Sequence, residues 1–358
     1  MQYLTNVWYV AATTLELGLK PFHRTILGTE IVLYRKSDGE TAALRDRCAH
    51  RFAPLHLGEI KGDALQCPYH GLQFGPDGQC VHNPQGAGKI TRGARVQSYP
   101  VAERHGFVWI WMGAVESAEY SLIPDLSQWE DKPDHIPVRG YIRPKANYEL
   151  LTDNLMDLSH ALYLHSGGIG SAAIERAKSE VVVAGRSVTS NLWMPDELPS
   201  PYYSARFNNY QQPVDHWLDM TWRPAAILTL DSGITPTGRP REEGVRGLVA
   251  HLLTPETETT THYFWIHTRS DRRQDLDVSA QIAKALRTAF EREDQPMIEA
   301  QQAMMGTSDL WSLRPIFLPA DAAAVRVRRT LAELIKEENA DVGPALLSEV
   351  AGESEQRG

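Results

Sequence analysis

What most constrains this chain is a pair of short Cys/His clusters. Cys48-Ala49-His50 is followed, after sixteen residues, by Cys67-Pro68-Tyr69-His70. The sequence of 358 residues holds only three cysteines, and two of them stand here, each with a histidine two or three positions later. Gly and Pro punctuate both stretches, which reads as two turn-forming loops rather than helices or strands. Thiolates and imidazoles at close spacing are the ligand types of zinc and iron–sulfur centres. Such a set is expected by chance in few chains of this size, so it is read as a metal site. Three cysteines are too few, and odd in number, for a disulfide framework, which implies the reducing cytoplasm.

Two metals compete for Cys48, His50, Cys67 and His70. A structural zinc would take all four in one tetrahedron, but zinc fingers usually pair Cys with Cys and His with His. Here each loop supplies one of each. A Rieske-type 2Fe-2S cluster needs that mixture, because two thiolates hold one iron and two imidazoles the other. Each loop then reaches both irons. Neutral imidazoles raise the potential and suit one-electron transfer. Gly71 lets the backbone approach such a cluster and Pro68 stiffens the second loop. His56, Cys80 and His82 lie nearby without fitting a ligand position and are read as packing or surface residues.

Up to about Met112 the sequence reads as short strands: "IVLYR", "GETAALRD", "GLQFGPDGQC" and "GFVWIWMG", divided by Asp-Gly and Gly turns. The Pro- and Asp-rich stretch from Gly113 to Pro144 reads as a crossing segment. "NYELLTDNLMDLSHALYLH" has leucines at helical spacing. Strand patterns then return, with a hairpin near Pro255–Glu258, before a long amphipathic helix kinked at Pro296 and a final helix. The expected division is 1–115 for a β domain carrying the cluster, 116–140 for a linker, 141–340 for an α+β domain on an antiparallel sheet, and 341–358 for a flexible tail. A net charge of −9 gives no electrostatic reason to expect nucleic acid, and no run approaches a membrane span or a signal peptide.

A one-electron carrier needs an acceptor. His160 and His165 are five apart, slightly too far for one helical face, so they converge on an ion only if the helix loosens or ends between them; Ser166-Gly167-Gly168 supplies an ending. Two histidines and one carboxylate with open positions form the facial triad of non-haem Fe(II) oxygenases. The carboxylate could be Asp157, close by, or Glu293, Asp294 or Glu299 on the long helix. Without the cluster motif upstream, a histidine pair on a helix would be read as packing.

Taken together, "NVWYVAA", "RCAHRFAPLHLG", "CPYHGLQF", "NYELLTDNLMDLSHALYLH", "LLTPETETTTHYFWIHTR" and "FEREDQPMIEAQQ" resemble the oxygenase component of the Rieske non-haem iron oxygenases. The likeness runs through most of the chain and is strongest to the vanillate and dicamba O-demethylase type; Leu72 stands where many ring-dihydroxylating members carry Trp. The resemblance implies an α+β fold, with an N-terminal all-β Rieske domain and a C-terminal helix-grip catalytic domain around a central antiparallel sheet. It implies Cys48, His50, Cys67 and His70 as cluster ligands and His160, His165 and Asp294 as iron ligands. Asp157 matches an aspartate that bridges cluster and iron histidines across a subunit boundary, and Asn154 matches a polar residue beside the iron. His251 falls where the dicamba enzyme turns a histidine toward its substrate. That enzyme's neighbouring asparagine and tryptophan are not matched.

The resemblance implies a terminal monooxygenase component. It uses O2, electrons that come from NAD(P)H through a ferredoxin or flavin reductase, a 2Fe-2S cluster and Fe(II). Its expected reaction is oxidative demethylation, O-demethylation first, of a substituted aromatic acid, with N-dealkylation or methyl hydroxylation as alternatives. A head-to-tail homotrimer is expected, with no nucleic acid or membrane partner. The pocket is expected around Leu155, Trp217, Ile227, His251 and Phe290. Two readings of other classes are an electron carrier without oxygen chemistry, against which the His160/His165/Asp294 set argues, and a zinc-stabilised binding module, which would be colourless where a Rieske protein is red-brown.

Overall fold

The computed structural model describes residues 3–130, 132, 137–165, 170–224 and 226–355, with side chains described to residue 340. The N-terminal part is built from short antiparallel strands in three small sheets. Trp8–Thr13, Phe107–Trp111 and Val101–Arg104 form one. Phe22–Ile26, Thr29–Arg35, Thr41–Arg45 and Ser98–Tyr99 form the second. The third, Glu59–Lys61, Ala64–Gln66, Gln73–Phe74 and Cys80–His82, carries the loops of the Cys/His motif. These strands are where the alternating and bunched apolar runs of the sequence lie.

The C-terminal part is a seven-stranded antiparallel sheet. Its order is Val138–Ile142, Thr260–Arg269, Val245–Thr257, Ile227–Pro236, Val214–Arg223, Ser187–Glu197 and Lys178–Ala184. The first of these strands lies inside the stretch read as crossing segment, which therefore hands over to the sheet before Pro144. Short 3-10 turns at Val115–Ser117, Tyr120–Leu122 and Ser127–Trp129 make up the part before it. Gly140 is needed in that edge strand: a Cβ there would sit 2.2 Å from the Trp265 ring of the neighbouring strand.

Strand alternation sorts this sheet into two working faces. Ala250, Leu252, Phe264 and Ile266 point back and pack with Trp8, Trp109, Trp111 and Ile227, so one apolar cluster spans both domains. The turn at Leu27-Gly28 also gives its N–H groups to Pro255 O and Glu256 O, both at 2.8 Å. The opposite face carries Met220, Leu228, Tyr263 and Trp265 and is covered by helices.

The first covering helix, Tyr148–Met156, starts at Asn147, whose side chain accepts the Glu149 N–H. It ends at Asp157, well short of the His165 that leucine periodicity suggests. A 3-10 turn, Leu158–His160, and a single turn, Ala161–Leu164, follow. Arg328, buried in the last helix, clamps this element: its guanidinium meets Asp153 at 2.7 and 2.9 Å and Glu149 at 2.8 Å.

The long helix is three pieces: Leu276–Arg287, a π-helical turn at Thr288–Asp294, and Gln295–Met305. In the π turn the Gln295 N–H reaches back to Phe290 O, five residues earlier. Pro296 lacks an N–H and its ring crowds the carbonyl four residues before it, so the widened turn absorbs what the sequence suggests as a simple kink. The last helix runs Ala322–Glu355; the expected tail, 341–358, falls where no side chain is described.

Candidate metal centres and pocket

The two cysteine loops are near copies of each other. In the first, the Cys48 N–H bonds Ala53 O at 2.9 Å and the Phe52 N–H bonds Cys48 O at 3.0 Å. In the second, the Cys67 N–H bonds Leu72 O at 2.7 Å and the Gly71 N–H bonds Cys67 O at 3.1 Å. Both close the same five-residue reach, and both put their fifth residue in the left-handed region, Phe52 at φ 61° and Gly71 at φ 77°. Glycine takes that conformation freely; phenylalanine does not. Arg47 stacks over the Phe52 ring, 4.0 Å from its centre, and helps hold the strained residue.

This geometry turns the thiols inward and the imidazoles outward. Cys48 and Cys67 are 1% and 2% exposed, while His50 is exposed and His70 partly so, their rings 4.7 Å apart. Burial first, and then the neighbouring Cys67 thiol, push the Cys48 thiol up to about 11. Two adjacent buried thiols of this kind become thiolates only with a metal to balance the charge. The donors, two soft and inside, two nitrogenous and at the rim, fit a 2Fe-2S cluster of the Rieske type. Asp46 anchors the first loop, accepting the His56 backbone N–H at 2.7 Å and its ring Nδ1. Cys80 is buried, with its sulfur 3.4 Å from His82 O.

The second set assembles at the mouth of the covering helices. His160 Nε2 and His165 Nε2 lie 3.4 and 3.3 Å from Asp294 Oδ1, with the two rings 5.1 Å apart. Donors about 2.1 Å from one divalent ion and at right angles lie about 3 Å apart, so the three fit one ion. The far sides of both rings are occupied. His160 Nδ1 meets Asp157 O at 2.7 Å, and His165 Nδ1 meets the Glu293 carboxylate at 2.6 Å. Protons on Nδ1 leave both Nε2 lone pairs for a metal.

Glu293 and Asp294 are adjacent, yet they serve opposite sides of His165, Glu293 at Nδ1 and Asp294 at Nε2. Burial alone would raise the Asp294 pKa; hydrogen bonds from His160 and His165 outweigh it and bring it down to about 2. Burial works against a charged His165, but Asp294 and Glu293 raise its pKa.

Of the carboxylates weighed from sequence, only Asp294 joins both histidines. Glu299 accepts from the Lys145 N–H and the Gln295 amide, outside the set. The Asp157 carboxylate caps the 3-10 turn by accepting the Ser159 N–H at 2.9 Å. Asn154 lies beside the set, its amide nitrogen 3.3 Å from Asp294 Oδ1 and 3.5 Å from His160 Nε2. Ser166-Gly167-Gly168 lies outside the described residues. The helix breaks before them, at Asp157, and that break frees His160 and His165 to converge.

A cavity of about 90 Å³ opens beside this set. Leu155, Leu158, Leu218, Met220, Leu230, Val249 and Phe290 make it largely apolar. A larger groove of about 960 Å³ lies between the domains, but it is open and none of the three metal-binding candidates lines it. Leu155, His251 and Phe290 stand in the cavity wall as expected. Trp217 and Ile227 do not. Trp217 lies between His216 and Leu218 on its strand and turns to Asp231, and Ile227 packs on the N-terminal domain. His251 is 1% exposed and its Nδ1 meets Tyr263 Oη at 2.6 Å. Burial holds its pKa down to about 3, the Asp294 charge opposing only in part. Sequence reading passed over His216 and Arg328, whose roles depend on contacts across the fold.

A mixed Cys/His cluster site in a small β domain, joined to a His/His/Asp site on a helix-covered antiparallel sheet, defines a Rieske non-haem iron oxygenase. Comparison with known proteins agrees. Residues 7–100 match the Rieske [2Fe-2S] domain and 145–337 the vanillate O-demethylase oxygenase C-terminal domain. The chain is 41% identical over 343 residues to the chloroacetanilide N-alkylformylase oxygenase component of Rhizorhabdus wittichii, covering 94% of this chain and 97% of that one. It is 39% identical to the dicamba O-demethylase oxygenase component of Stenotrophomonas maltophilia, covering 93% and 98%. The crystal structure of dicamba monooxygenase bound to 3,6-dichlorosalicylic acid superposes with a TM-score of 0.89 at 38% identity, over 95% of this chain and all of that one.

This chain therefore belongs to the vanillate O-demethylase-like Rieske oxygenases, as an oxygenase component. It is an oxidoreductase that incorporates O2, its cofactors are a 2Fe-2S cluster and a non-haem iron, and its electrons arrive from a partner protein. Among the described residues no helix is long and apolar enough to cross a membrane.

Proposed function

We propose that this chain catalyses the oxidative dealkylation of a substituted aromatic compound, removing a methyl or similar small group from oxygen or nitrogen. One observation carries the reading: the His160/His165/Asp294 set opens into a largely apolar cavity. Cys48, Cys67, His50 and His70 would hold the cluster; His160, His165 and Asp294 would hold the iron. The iron would supply O2 activation and insertion of oxygen into a C–H bond, and the cluster would supply electrons singly. Attack on a carbon attached to oxygen or nitrogen leaves a hemiacetal or hemiaminal that collapses to an aldehyde plus phenol or amine.

The chain's own residues prepare that step. Asp157 O and Glu293 take the outer protons of His160 and His165 and fix both rings. Leu155, Leu158, Leu218, Met220, Leu230 and Phe290 exclude water and seat an aromatic body beside Asn154 and Asp294. Similarity to an N-dealkylating and an O-demethylating relative supports dealkylation without choosing between oxygen and nitrogen.

Assembly as a head-to-tail homotrimer is part of this reading. Phe52, Leu57 and Tyr69, 62%, 65% and 60% exposed, lie in or beside the two cluster loops and offer an apolar rim to a second copy. There the Asp157 carboxylate would bridge to a cluster histidine of the neighbouring copy. The protein would act in the cytoplasm with a ferredoxin or flavin reductase. Aldehyde release and O2 uptake from aryl methyl ethers and N-alkyl anilides, with a reductase and NADH, tests the proposal. Matched aldehyde and O2 stoichiometry is expected; oxygen insertion with the alkyl group retained overturns it.

A further inference from the structure

The cavity wall holds a polar residue that the chemistry above does not use. His216 is 2% exposed, stands on the strand Val214–Arg223, and faces the same cavity as the His160/His165/Asp294 set. Its Nδ1 meets Glu197 Oε1 at 2.6 Å, and Glu197, itself buried, accepts from the Ser171 hydroxyl through its other oxygen. The Tyr203 ring packs edge-on at 4.9 Å and fixes the imidazole plane. Glu197 and Tyr203 thus hold the ring, while Nε2, fully buried, has no hydrogen-bond partner among the described residues. Leaving such an atom unpaired is costly, so something that enters the cavity satisfies it.

Register places His216 at the far end. Met220, Leu230, Val249 and His267 form one cross-strand row, with His251 in the next row on one side. His216 lies two rows away on the other side. The His251 and Phe290 rings are 5.6 Å apart, and Phe290 belongs to the π turn that delivers Asp294, so His251 marks the iron end. Apolar Leu218, Met220 and Leu230 fill the rows between.

Charge narrows the ligand further. Among the described residues lining the cavity there is no Arg or Lys. Arg206 stands behind Tyr202, its guanidinium given to Asp271 and to Arg246 O. A carboxylate or sulfonate buried here would lose its hydration with no free cation to replace it. His251 is buried with its Nδ1 on the Tyr263 hydroxyl, and it offers no permanent charge for that role.

We propose that His216, positioned by Glu197 and Ser171, is a polar contact for the substrate, and that the cavity selects an uncharged aromatic substrate whose amide or hydroxyl group meets His216 Nε2. This rests on the dealkylase reading of the iron site and departs from the aromatic acid expected from sequence.

Equilibrium dialysis against the oxidised, non-turning holoprotein tests it with three probes: 4-methoxybenzamide, 4-methoxybenzoate and 4-methoxytoluene. The amide is expected to bind most tightly. His216→Leu should loosen the amide about tenfold, the value of one hydrogen bond, while 4-methoxytoluene is unchanged. His216→Gln, which keeps a polar group, should retain most of the amide affinity and guards against a misfolded leucine variant; the cluster's visible absorption reports folding in each. Tighter binding of the benzoate, no measurable binding of the amide, or an equal change for amide and toluene in His216→Leu overturns the proposal. Probes that bind in this pattern but release no aldehyde would instead refute the dealkylase reading alone.

Discussion

In the N-terminal domain all four metal-ligand candidates come from two loops, each closed by its own pair of backbone hydrogen bonds and separated by one short hairpin. In the catalytic domain two come from a broken helix and the third from a π turn in a helix near the other end of the domain. The first site needs little of the rest of the chain to take shape. The second exists only when the sheet, the ligand helix, the long helix and the last helix are all in place. Local closure gives an autonomous site; remote closure ties iron binding to the stability of a whole domain.

Replacing Cys67 with Ala should break the first site most completely. About three irons and two labile sulfides per chain should fall to about one iron, with visible colour and turnover lost. Retention of the remaining iron, read by elemental analysis, would show that the second site stands without the first. Asp294→Ala is the mirror experiment: turnover lost and one iron missing, with the cluster spectrum intact. Loss of the cluster as well would contradict two independently built sites.

Next in size is Arg328→Ala, which strands the partly buried Asp153 and Glu149 and should destabilise the catalytic domain by about 3 kcal/mol. Calorimetry should place the loss in the transition that also releases iron. Glu293→Gln keeps the shape but weakens the hold on His165 Nδ1; iron affinity or turnover should drop about 10- to 100-fold. An unchanged iron affinity and rate would leave Glu293 no role at the site.

The smallest effect is a pH dependence. His251 is neutral when folded, with its pKa brought from 6.5 to about 3, so the unfolded chain binds more protons between those values. Stability should therefore rise with pH across that window and fall as pH drops from 6.5 toward 3. His251→Phe should flatten that slope without touching the cluster spectrum.

This contrast also explains what could be read from the sequence. The cluster loops were legible because ligand, spacing and turn chemistry lie within one short stretch. His160 and His165 were legible as a pair, and their spacing required a break, though the sequence placed it near Ser166 and the structure places it at Asp157. Asp294 could not be told from Glu293 by periodicity, since a π turn abolishes the 3.6-residue rule on which such a choice rests; family resemblance decided it. Trp217 and His216 are neighbours on one strand, and only the sheet register says which of them faces the cavity. Arg328 had no signal in sequence at all, because its partners lie on a helix it meets only after folding.

The widened turn at Thr288–Asp294 has one more implication. An α-helix advances about 100° per residue, so removing a single residue from that turn would swing Asp294 off the iron without shortening any of the seven strands. The same lever could aim a different side chain at the metal in a related chain. One inserted or deleted residue, outside every strand, is thus expected to cost this scaffold its iron.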